Sequence, residues 1–105
     1  MQSVTDLVEE WRLKAREWAE LDGDARRLEK LEKIVFSEIV NQLDGSISSR
    51  EHEARGHPNY RSHCLETVSA RTKANVMKAE LDGMEMKFEA WRTLNATKRA
   101  EMKHL

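Results

Sequence analysis

Apolar residues recur at intervals of three and four along almost the whole chain, and this spacing restricts the fold more than any other feature. In the first half the series runs Val4, Val8, Trp11, Ala15, Trp18, Leu21, Ala25, Leu28, Leu31, Val35, Ile39 and Leu43. In the second it runs Ala70, Ala74, Met77, Leu81, Met84, Phe88 and Trp91, in strict four-three alternation. Steps averaging about 3.5 residues describe a narrow seam between paired helices rather than a broad globular face. No stretch alternates apolar and polar residues over a useful length, so strands are not expected.

The tripeptide Leu-Asp-Gly tests this reading, because Asp-Gly is ordinarily a turn signal. It occurs at 21–23, 43–45 and 81–83. The apolar spacing continues in phase through the first and third copies, which predicts that Gly23 and Gly83 lie inside helices. Each then costs roughly 1 kcal/mol relative to alanine. At Leu43-Asp44-Gly45 the pattern stops, which predicts a helix end with Gly45 at C′.

The spacing therefore predicts a helix over about 3–43, a connection over about 44–58 and a helix over about 58–103. Ser48 with Glu51 has capping-box spacing and predicts a short helix over 49–55, ended by Gly56. Pro58, the one proline, suits the first position of the next helix. Asp6, Glu9 and Glu10 near the first helix start, and Lys98, Arg99 and Lys103 near the last helix end, complement the helix dipoles. Two long helices with one connection must fold back to bury their stripes. With Leu43 level with Tyr60, Gly23 falls level with Gly83, Trp18 meets Phe88, and Trp11 meets the Trp91–Leu94 region. The expected fold is thus all-α, an antiparallel hairpin of two long helices in a single domain, 1–105. Its seam contains Trp11, Trp18, Leu28, Val35, Met77, Leu81, Met84, Phe88 and Trp91. Leu7, Leu13, Ile34, Phe36 and Val40, with Val76, Met86 and Leu94, widen the apolar faces beyond that seam. Such two-sided helices point to a four-helix bundle completed by a homodimer.

Charge narrows the range of functions. Charged residues make up 35% of the chain, yet 18 Lys and Arg nearly cancel 19 Asp and Glu. This composition suits solvated, ion-paired helix faces and not a bulk DNA coat or a nucleic-acid mimic. A single cysteine, Cys64, excludes an internal disulfide and suits a reducing cytoplasm. No basic and apolar leader opens the sequence, and no apolar run reaches the roughly 18 residues of a membrane span, so a cytoplasmic protein is expected.

The densest polar segment, Arg50 to Cys64, carries His52, His57, His63 and Cys64, all of them metal-ligand types. They lack paired ligand spacing, and adjacent His63 and Cys64 face different sides of a helix. No metal or other cofactor is therefore expected, and a solvated segment with Cys64 turned inward is the plainer reading. A catalytic site would need a nucleophile, base and orienting group in a closed pocket. Cys64 with a histidine is the one available pair and a hairpin offers no pocket, so an enzyme is not expected. Arg50, Arg55, Tyr60 and Arg61 form a candidate partner-binding patch at the tip. Arg50, Arg55, Arg61, Arg71 and Lys73 are the alternative, a nucleic-acid-contacting set in which Arg71 and Lys73 lie beside no aromatic platform for stacking bases.

The segments "SREHEARGHPNYRSH" and "MKFEAWRTLNATKRAEMKHL" resemble small helical proteins from the early, recombination and host-takeover region of tailed phages and prophages. The resemblance covers about a third of the chain and contains no catalytic motif, so it transfers no residue role. It implies a bacterial host cell and a task beside phage DNA metabolism or against a host defence or repair protein. The expected function is a non-enzymatic adaptor that binds another protein. The alternative is a DNA-associated accessory factor in phage recombination or replication, and a more distant one is a metal-dependent switch at the tip histidines.

Overall fold

The computed structural model describes residues 3–104; positions 1, 2 and 105 of the expected domain lie outside the described residues. Three helices follow in order: α1 (Val4–Gln42), α2 (Ile47–Arg55) and α3 (Pro58–Lys103). No strand occurs among the described residues. The chain forms a rod of 85 × 21 × 16 Å.

Local chemistry sets each boundary. Ser3 caps α1, its Oγ accepting from the Asp6 amide at 3.1 Å, which supplies one of the first-turn N–H groups with a partner. Leu43 leaves the helix in extended conformation and Gly45 has φ of 113°. The glycine thus lies one position beyond the expected C′ site, and its left-handed backbone reverses the chain toward α2. The cap of α2 is Ser46, which accepts from the Ser49 amide at 3.2 Å. Ser48, expected as the cap, lies inside the helix instead. Ser46 prevails because Gly45 turns the chain immediately before it. Pro58 opens α3, and the His57 ring caps it by accepting from the Asn59 amide at Nδ1. Within α3, Thr67, Thr72 and Thr97 donate to the carbonyl four residues back, so these hydroxyls fit a helix interior.

Helices α1 and α3 run antiparallel, with Tyr60 at Glu32, His63 at Leu28, Arg71 at Asp22 and Lys14 at Glu80. This register differs from expectation. Tyr60 stands beside Glu32 and Phe36, not level with Leu43, because α2 packs against the last turns of α1 and α3 joins the pair lower down. Everything after it shifts accordingly. Trp18 meets Lys78, whose Nζ lies 5.1 Å from the ring centroid. Phe88 is ten residues further along α3, about 15 Å away. Gly23 and Gly83 do not face each other; an added Cβ at either would meet nothing within 4 Å. Both are solvent-facing helical residues.

The core is slight. The buried apolar residues are Ala25, Ile39, Ala54, Ala74, Leu81 and Met84. Trp11, Trp18, Leu28, Val35, Met77 and Phe88 are half-buried along the contact line. Trp91, expected in the seam, is 46% exposed. The shifted register carries the last turns of α3 past Val4, where α1 begins, so among the described residues Trp91 lies at the edge of the helix contact and not within it.

Candidate functional site

The polar chemistry of the rod gathers at three places. Nearest the middle, Arg71 reaches across from α3 to two carboxylates of α1. Its Nη1 donates to Asp22 at 2.7 Å, while Nη2 and Nε grip Glu29 at 2.6 and 3.3 Å. Asp22 also pairs with Arg26 at 2.9 Å. Hydrogen bonds from Arg71 hold both Asp22 and Glu29 below the usual carboxylate range. A planar guanidinium with two parallel donors suits this bidentate grip, which lysine could not make. The Asp of the first Leu-Asp-Gly is therefore an interhelix ligand. Arg71, a candidate for nucleic acid, already has two anionic partners in its own chain.

The second place is the upper end of α3. Tyr60 donates to Glu32 at 2.9 Å, and its ring packs edge-on to Phe36 with centroids 5.3 Å apart. That donated bond, reinforced by desolvation and by Cys64, pushes the Tyr60 phenol up to about 12. One turn on, His63 Nε2 lies 2.9 Å from the Leu28 carbonyl, so the ring donates there. Phe36, Arg55 and Tyr60, with Glu32, Lys33 and Ser37, line a cleft between the helices.

The third place is α2 with the turn that follows it. Arg55 and Arg61 are exposed, whereas Arg50 is half-buried and its Nε has no hydrogen-bond partner among the described residues. Of the partner-binding candidates, Arg55 and Arg61 thus face solvent, while Tyr60 points into the helix pair. Lys73, from the nucleic-acid set, is exposed on α3. The candidate metal ligands are not brought together. His57 caps α3, His63 holds Leu28, Cys64 is half-buried and His52 is exposed. Among the described residues no group of three metal-ligating side chains converges.

Sequence reasoning missed Asp22, Glu29 and Glu32. Each carries a signal in hindsight, since each sits next to a seam position and can extend along its edge. A register was needed to find their partners. No helix among the described residues is long and apolar enough to cross a membrane. No known protein family, curated protein or solved structure matches the chain.

Proposed function

We propose that this protein is a non-enzymatic adaptor that works as a homodimeric, four-helix rod and binds another protein. The observation that carries this reading is the imbalance between core and surface. Among the described residues, three of the six buried apolar ones are alanines, while Leu13, Ile34, Leu65, Val68, Val76 and Met86 are each more than half exposed. Apolar surface of that extent, on a molecule without a third layer, marks contact with other macromolecules. The tip, with exposed Arg55 and Arg61 beside the Phe36–Tyr60 cleft, offers a polar rim with an aromatic centre for a protein partner.

The resemblance to small phage proteins supports a bacterial cytoplasmic setting and a host defence or repair protein as the target. The DNA-associated alternative draws on Arg55, Arg61 and Lys73, because Arg71 is engaged by Asp22 and Glu29. Binding of a labelled duplex or single strand, weakening steeply with salt, would favour that alternative. Sedimentation equilibrium at micromolar concentration tests the dimer. The expected mass is twice the 12.2 kDa of one chain, and a lone 12.2 kDa species would overturn it.

A further inference from the structure

The face of α3 turned away from α1 carries a second uncharged stripe. Leu65, Ser69, Thr72, Val76, Ala79, Gly83, Met86 and Ala90 follow at steps of four and three, and all are exposed. They lie opposite the buried Ala74, Leu81 and Met84. One edge of this stripe is a row at heptad spacing whose charge alternates: Glu66, Lys73, Glu80, Lys87. A solvated helix face gains nothing from keeping eight successive stripe positions free of charge, whereas an association face requires it.

We propose that this face is the self-association surface, on which α3 of a second copy lies antiparallel about a two-fold axis between Val76 and Ala79. The inference rests on the dimer reading above and specifies which surface forms it. Charge complementarity identifies a second copy as the occupant. In this register Glu66 opposes Lys87 of the second copy and Lys73 opposes Glu80, and the symmetry repeats both pairs. Sliding by one heptad in one direction sets Glu66 against Glu80 and Lys73 against itself. Sliding the other way sets Lys73 against Lys87 and Glu80 against itself. Like charges at flanking positions disfavour both shifts, so the row selects one alignment.

Side-chain size selects the same alignment independently. It stacks a larger residue on a smaller one in each layer: Leu65 on Ala90, Met86 on Ser69, Thr72 on Gly83 and Val76 on Ala79. The open space around Gly83 then receives a side chain of the second copy. On the opposite edge Asn75 meets Asp82 and Val68 meets Glu89, with no like charges opposed. Glu80 already accepts from Lys14 at 3.1 Å, and a carboxylate with two oxygens can serve a second cation.

Charge reversal tests the interface without touching the protomer, because neither Glu66 nor Lys87 forms an ion pair within its own chain among the described residues. Lys87→Glu should weaken the dimer by about tenfold in sedimentation equilibrium while leaving helicity unchanged. Adding Glu66→Lys to Lys87→Glu should restore it. Spin labels on Thr97→Cys in a Cys64→Ser background should lie about 60 Å apart across the antiparallel dimer. A dimer insensitive to Lys87→Glu, or labels lying close together, would overturn this interface and leave the dimer itself standing. A protein that sediments only as 12.2 kDa would overturn both.

Discussion

Tyr60 shows how much one contact can report, because the chain contains a single tyrosine. Its phenol donates to Glu32 and is pushed up to about 12. A phenol whose folded value is raised favours the protonated form. Its contribution to stability is complete below the ordinary tyrosine value of 10.0 and is lost as pH rises through about 12. Tyrosinate absorbance should therefore titrate as one step well above the free side chain, and Glu32→Gln should bring that step down. A wild-type midpoint near the ordinary value would contradict the contact. The two glycine environments separate just as cleanly. Gly23 is helical, exposed and open around its missing Cβ, whereas Gly45 sits at φ 113°. In urea denaturation Gly23→Ala should stabilise by about 0.5–1 kcal/mol. Gly45→Ala should destabilise by about 1 kcal/mol or more, because alanine is strained at that φ.

Among the elements, α3 divides into a part that α1 covers and a part that it does not. Leu81 is 3% exposed and Trp91 is 46% exposed, although ten residues of the same helix separate them. Leu81→Ala should cost about 2–5 kcal/mol through lost burial and the cavity left behind. Trp91→Ala should cost the isolated protomer less than Leu81→Ala, since 46% of Trp91 is already in water. Equal losses in thermal or chemical unfolding would mean that the end of α3 is covered after all. The boundary between these parts follows from α2. By packing on the final turns of α1, this nine-residue helix displaces α3 along the rod. The far end of α3 consequently runs past Val4.

The whole molecule has too little interior to explain its exterior. A long rod with six buried apolar side chains among the described residues, half of them alanine, leaves many larger apolar groups in water. Surface-to-volume scaling makes such a shape marginal as an isolated protomer, and the proposed association of two rods along their length would relieve this. Thermal unfolding that shifts upward with protein concentration is the expected consequence. A transition independent of concentration over the micromolar range would show that the monomer is the folding unit.

Helical class, the approximate extent of each helix and the continuation of α1 and α3 through Gly23 and Gly83 could all be read from the order of residues. These features depend on interactions between neighbours three and four positions apart, and that spacing is written along the chain. Sequence alone could not decide the register. The apolar series has nearly the same repeat on both helices, so sliding one past the other by a heptad preserves almost all of its pattern. Tertiary structure resolved that degeneracy through contacts between distant residues, with α2 taking the end of α1 and Arg71 closing on Asp22 and Glu29. The expected meeting of Trp18 with Phe88 failed for this reason, as did the placement of Trp91 in the seam. A periodic stripe says which side of a helix is buried, but a specific, non-repeating contact is needed to say against which turn.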